Sequence, residues 1–196
     1  MPAYKLLMHP ANPHSAPVAA DRLASHLTGL GLIGAPIRHP TLTLYSAGER
    51  LPELVTFLGC APHIDLLPPD SPDALEAALA AGGLCHVRLA ETGALQFRTD
   101  RNAPLPRCPE CRKPVHNWQQ LLLDWQSDSE KHDWQCQACH HSGQLMQLNF
   151  RKSAGFGRIF LEIWGIYPSE AVPGDELLAS LRTLTGCDWK TLYLRE

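Results

Sequence analysis

The sequence predicts an α+β or α/β fold: a mixed sheet with covering helices, interrupted by a small inserted module built around cysteines. Three observations predict it. Over the first half of the 196-residue chain, short apolar runs alternate with helix-period segments, the pattern of strands each followed by a helix long enough to cover them. Two Cys-x-x-Cys pairs, "CPEC" and "CQAC", then break the alternation. Beyond them it resumes as strand-like runs, a helix and a closing strand.

In chain order, "AYKLLM" at 3 to 8 is a strand. "SAPVAADRLASHLTG" is a helix, with Ser15 as N-cap, Pro17 in the first turn, Ala20, Leu23, Leu27 and Leu30 on one face, and Gly29 or Gly31 as its stop. The glycines and proline of "LTGLGLIGAPI" suit that helix end and a turn. "TLTLYS" at 41 to 46 is a strand, "GERLPELVTFLG" a short helix, and "HIDLLP" at 63 to 68 another strand. "SPDALEAALAAGG" is a helix capped by Ser71, with Pro72 at its first position and Gly82-Gly83 ending it. "LCHVRLAETGALQFRTD" alternates on both sides of Glu91-Thr92-Gly93 and predicts a hairpin. After the cysteines, "QLMQLNFRKSAGFGRIFLEIWGIY" predicts two strands around a Lys-Ser-Ala-Gly turn. "PSEAVPGDELLASLRTLTG" predicts a helix with Leu177, Leu178, Leu181 and Leu184 on one face and Gly186 as its stop, and "DWKTLYL" a final strand. The organisation expected is residues 1–103 as the α/β scaffold and 104–143 as the module. Residues 144–196 follow as a ββαβ segment that either completes the scaffold sheet or stands as a small unit of its own.

A hydrophobic content of 44% and a charged content of 19% are those of an ordered globular chain. The formal charge of -3 supplies no global positive field, so any nucleic-acid contact has to be local. The N-terminal "MPAYKLLMHPANPHS" places Pro, Asn and His where a signal peptide has its apolar stretch, and the run at 27 to 37 is short of the ~20 residues that cross a bilayer. Seven cysteines leave one over from any closed disulfide set, and a reducing compartment keeps thiols free as ligands. A soluble, cytoplasmic protein without membrane contact is expected.

Cys-x-x-Cys is the spacing at which a tight turn aims two sulfurs and several backbone amides at one point; two such turns complete a tetrahedron around Zn²⁺. Pro109 stiffens the first turn, and 24 residues separate Cys111 from Cys136. Residues 105 to 145 here resemble the zinc-ribbon family, in which two knuckles at hairpin tips bind one structural zinc. The resemblance implies Cys108, Cys111, Cys136 and Cys139 as the ligands and Zn²⁺ as a structural cofactor. The chain departs from the family where a glycine often follows the second cysteine of a knuckle: Arg112 and His140 stand there, and Gly143 comes later. Alternatives remain open at this point. Four thiolates also suit an iron-sulfur cluster, either pair matches a thioredoxin-like redox motif, and Cys136-x-x-Cys139-His140 matches a haem-attachment pattern that needs export. His116, His132 or His140 is a candidate substitute ligand.

Trp118, Leu121, Leu122 and Trp125 fall on one helical face. They either pack the module on the sheet, which a core this small requires, or present Trp118 and Trp125 to a partner. "RKSAGFGR" at 151 to 158 offers Arg151, Lys152 and Arg158 to phosphates and Phe156 to a base, with Arg107, Arg112 and Lys113 nearby; a solvated hairpin turn is the plainer reading. Cys60 with His63, and Cys85 beside His86, sit among apolar residues, as structural cysteines do. His9 and His14 flank "PANP", and the N-terminal histidines show no metal-catalytic spacing. The function expected is a non-enzymatic binding or adaptor protein with a structural Cys₄ zinc site, its partner another protein. The alternatives are a nucleic-acid-associated protein using the 151–158 turn, and an enzyme built from the N-terminal histidines and cysteines.

Overall fold

The structure, a computed structural model, describes residues 4–15, 18–39, 41–58, 65–69, 71–100, 102–127, 133–166 and 171–195. The chain runs β1 (Tyr4–Pro10), α1 (Ala20–Leu30), β2 (Ile33–Ile37), β3 (Leu44–Ala47), α2 (Leu51–Leu54), β4 (Val55–Phe57), α3 (Pro72–Ala81) and β5 (His86–Thr99). It continues through α4 (Trp118–Ser127), β6 (Asp133–Gln135), β7 (Ser142–Gln144), a 3₁₀ turn (Leu145–Gln147), β8 (Ala154–Trp164), β9 (Ala171–Pro173), α5 (Asp175–Thr185) and β10 (Trp189–Arg195). Six strands form one sheet in the order β10-β1-β8-β5-β3-β2. Every pair in it is antiparallel, so the fold is α+β. Within that class the pairs of this sheet are antiparallel rather than mixed among the described residues, because β8 and β10, from the C-terminal segment, flank β1.

Alternation along the strands sorts the side chains. Leu6 and Met8, Val87 and Leu89, Ile159, Leu161 and Ile163, and Trp189 face α1, α2 and α5, which bury Leu23, Leu27, Leu51, Leu54, Leu177 and Leu181 against them. The opposite face carries Leu7, Ala90, Phe160, Leu192 and Leu194 together with buried Lys5, His9, His86 and Glu162. Lys5 Nζ meets Glu162 Oε2 at 3.2 Å and lies over the Trp164 ring, while Trp164 Nε1–H donates to the same carboxylate.

This second face is roofed by the sheet's own strands. β5 and β8 pair over their whole length except where Thr92 to Leu95 oppose only Arg158, an irregular bulge of the kind that bends a ribbon. Thr92 Oγ1 holds it by donating to Ala94 O and Arg158 O. Beyond the bend, Arg98 lies over the Phe160 ring, and a Cβ on Gly155 would collide with the His9 imidazole. Asp100 accepts a hydrogen bond from the Arg195 amide at the far edge. The predicted hairpin at Glu91-Thr92-Gly93 is therefore a bulge in one continuous strand, because both of its arms find β8 as partner.

Other local expectations were overridden by distant contacts. Ser15 does not cap α1; its hydroxyl donates to Asn12 O, and the first helical amide, Ala20 N–H, donates instead to Glu91 Oε2 at 3.0 Å. Residues 33–37, expected as a turn, form edge strand β2, where Pro36 is tolerated at an irregular register. "QLMQLNF" makes a 3₁₀ turn rather than a strand. Of "HIDLLP", His63 and Ile64 lie outside the described residues, and Asp65 makes a single parallel bridge to Leu84. Ser71 caps α3 by accepting from Ala74 N–H, and Gly82 and Gly186 end α3 and α5 with left-handed φ, as expected. Among the described residues no helix is long and apolar enough to cross a membrane.

Candidate metal centre

The far end of the β5–β8 ribbon carries a second core. Phe97 and Phe156, cross-strand partners with ring centroids 4.9 Å apart, meet Phe150, and α4 lays Trp118 and Trp125 on them edge-on or tilted. Trp134, Leu145 and Leu148 close it, with Cys108 and Cys136 buried among them. This core draws on Leu95 and Phe97 before the cysteines and on Phe156 after them, so it rests on the strands of the six-stranded sheet.

Two turns deliver the sulfurs. In the first, Cys108 N–H donates to Lys113 O and Arg112 N–H to Cys108 O, both at 3.0 Å; in the second, Cys136 N–H donates to His141 O at 2.8 Å and His140 N–H to Cys136 O at 2.9 Å. The second repeats the first bond for bond. Arg112 and His140 close their turns with φ of 60° and 59°. The left-handed conformation usually given to glycine is thus kept at both knuckles, with residues that have a Cβ. The first turn is tied to the chain beyond the second by reciprocal Arg107–Asn149 backbone bonds of 2.9 Å, and the second sits at the tip of the β6–β7 hairpin.

The four sulfurs lie within 4.8 Å of one another, with Cys108–Cys139 and Cys111–Cys136 at 3.7 Å. A disulfide needs about 2.05 Å, so these are not bonded pairs. Around one ion with metal–sulfur distances of about 2.3 Å, a tetrahedron has sulfur–sulfur edges of about 3.8 Å; the closest pairs fit that figure. Each close pair also joins one turn to the other. The Ala138 and Cys139 amides pull the Cys136 thiol down to about 6. The His141 amide acts the same way on Cys139, but desolvation and the facing sulfurs outweigh it and push that thiol up to about 12. One thiolate forms readily and opposes the next, and a divalent cation among them removes that conflict. Among the described residues the cluster contains no histidine; His140 is exposed, and His132 lies outside them.

The remaining predicted residues are placed differently. Trp118 and Trp125 are 8% and 5% exposed and belong to the second core. Phe156, expected to stack on a base, is 5% exposed and covered by Trp125, Phe97 and Phe150. Arg151 and Lys152 are exposed at the turn before β8, whereas Arg158 lies beyond Phe156 opposite the bulge, with a buried Nε that has no hydrogen-bond partner among the described residues. The four do not form one surface. His9 and His86 share a sheet face but stand on the order of 15 Å apart by strand and residue spacing. His86 Nδ1–H donates to Leu84 O, and its ring stacks on Trp164. His14 is exposed and contacts Met146 Sδ through Nε2. Cys85 faces the helices, and burial pushes its thiol up to about 12; Cys60 and His63 lie outside the described residues. Sequence reasoning missed the Lys5–Glu162 pair, for which a lysine in an apolar strand was the available signal. No family model matches the chain, nor does any curated protein or solved structure.

Proposed function

We propose that this chain is a non-enzymatic binding or adaptor protein in which Cys108, Cys111, Cys136 and Cys139 hold one structural Zn²⁺. The observation that carries the reading is the convergence of four sulfurs, at single-ion spacing, from two turns with the same backbone bonds. A cluster of several irons spreads its cysteine sulfurs farther apart than one ion does, so the spacing favours a single ion over a cluster. When bound, the ion supplies order: four thiolates fill its coordination shell and leave no position for water or substrate. The chain's own residues do the rest. The Ala138, Cys139 and His141 amides of the second turn favour its thiolates, and α4 and the Phe97–Phe156 pair anchor the turns to the sheet.

A binding role is supported over catalysis by the closed donor set, by the separation of His9 from His86 and by the inert Cys85. A cytoplasmic location accords with four thiols that must stay reduced. Binding energies for structural zinc of about 10 to 16 kcal/mol in isolated fingers are largely spent on ordering the chain. Chelation should therefore open the second core while the six-stranded sheet persists. Limited proteolysis with far-UV circular dichroism tests this: new cleavage sites between about residues 102 and 150 with most of the helical signal retained are expected, and an unchanged digest after complete metal removal would refute a structural role. The adaptor reading predicts a protein partner at fixed stoichiometry on purification from native cells. Recovery of the chain alone at low and high salt would remove it.

A further inference from the structure

The sheet ends at β10, whose outer side no strand covers among the described residues. Ala11 N–H donates to Asp188 O at 2.7 Å, and the register pairs Lys190, Leu192 and Leu194 with His9, Leu7 and Lys5. Backbone groups in an antiparallel ladder turn alternately toward and away from the partner. Those of Lys190, Leu192 and Leu194 therefore face β1, and those of Trp189, Thr191, Tyr193 and Arg195 face outward. Arg195 confirms the phase, since its N–H reaches outward to Asp100. Thr191 and Tyr193 expose a row of donors and acceptors without strand partners among the described residues.

A cleft of about 960 Å³ runs along this edge and is lined by five successive residues, Trp189 to Tyr193. A cavity on one face of a strand touches every second residue, so one that touches five in a row follows the edge. Its two walls differ. Val172, Pro173 and Leu178, on the helix side, make an apolar wall; the segment from Met146 to Phe156, held to the metal module through Asn149 and Phe150, makes the other. Lys190, Arg151 and Lys152 line the cleft, all exposed, and among the described residues no Asp or Glu does. Lys190 projects to the module side, with Leu192 and His9.

We propose that this edge docks an extended acidic segment of a partner protein, which joins the sheet beside β10 as a seventh strand. The proposal rests on the binding reading above and names its partner class. Backbone pairing to Thr191 and Tyr193 supplies the affinity. Alternation in the incoming strand supplies specificity: one set of side chains is acidic and meets Lys190, Arg151 and Lys152, and the other is apolar and meets Val172 and Leu178. The metal acts on this site indirectly, by holding the cationic wall in place.

The test is fluorescence anisotropy of a labelled Glu-Val-Glu-Val-Glu-Val-Glu peptide with the full zinc-loaded chain, its metal content measured on the same sample. Saturable binding is expected. Thr191→Pro removes an outward N–H without touching the bonds to β1, a placement that edge strands tolerate, and should weaken binding about tenfold, the worth of a hydrogen bond or two. Lys190→Glu with Lys152→Glu should weaken it at least as much and admit the Lys-Val counterpart of the peptide. Should Thr191→Pro misfold, the parent peptide N-methylated at alternate residues makes the same test against the unaltered chain, and should bind about tenfold more weakly. Equal binding of the N-methylated and parent peptides overturns the proposal. So does binding of a single-stranded oligonucleotide that the peptide cannot displace, or self-association of the chain that excludes the peptide. No peptide binding by a chain carrying one zinc overturns the docking site alone and leaves the metal assignment standing.

Discussion

Replacing His140 with glycine should tighten metal binding, and replacing it with alanine should not. His140 closes the second knuckle at φ 59°, where an L-residue pays about 1 to 2 kcal/mol for the approach of its Cβ to the following carbonyl. Glycine avoids that cost but gives back about 0.4 to 1 kcal/mol through the greater freedom of the unfolded chain. The net gain is about 0.5 to 1 kcal/mol. Because the metal is bound as the turn folds, the gain should appear as about two- to fivefold tighter zinc affinity, measured by competition with a chromophoric chelator. Alanine keeps the strain, and the exposed imidazole it removes ligates nothing, so His140→Ala should stay within about 0.5 kcal/mol of the parent. Arg112, at φ 60° in the matching position, should behave alike, and the two glycine substitutions should add approximately. Glycine variants that bind zinc no better than alanine variants would refute the knuckle geometry, and loss of metal from His140→Ala would make that histidine a ligand.

Phe156→Ala should cost about 3 to 5 kcal/mol in chemical denaturation, as removal of an aromatic ring from a core does; a near-neutral effect would return Phe156 to the surface. Lys5→Met leaves Glu162, at 1% exposure, with Trp164 and the more distant Arg88 as its partners among the described residues and should cost about 3 kcal/mol, while adding Glu162→Leu should recover part of the loss. Fully additive penalties would deny the pairing. Burial pushes His9 down to about 4 from 6.5, against the raising effect of the Pro10 and Phe156 carbonyls. The unfolded chain therefore takes up a proton that the folded chain refuses as pH falls from 6.5 toward 4, and stability should drop through that window by up to about 3 kcal/mol. His9→Gln should flatten that slope, and an unchanged slope would contradict the burial argument. Cys85→Ser and Cys187→Ser should retain the parent's metal content, because neither sulfur belongs to the cluster; metal loss from either would break the assignment.

What could be read from the sequence was local. Ser71 and Gly82 bound α3, and the leucines of α5 face the core, because capping and periodicity act within a few residues. The four cysteines were legible for the same reason, each turn being specified by its own spacing. Distant partners decided the rest. Glu91 displaced Ser15 as the cap of α1. The residues read as a hairpin turn became a bulge because β8 extends far enough to pair both arms of β5. Phe156 looked like an exposed aromatic among cations, but the bend of β8 turns it toward Trp125. Lys5 shows nothing in the sequence of the carboxylate 157 positions away that makes its burial tolerable. The basic edge cleft likewise joins residues from β10 to the turn before β8, which only the sheet order brings together.

Elemental analysis of the purified chain, set beside its Cys111→Ser variant, tests the central claim most directly. The account predicts one zinc per chain in the parent, without iron or acid-labile sulfide, and none in the variant, whose remaining three sulfurs no longer close the tetrahedron. A parent free of transition metal, or a variant that keeps its zinc, would contradict it.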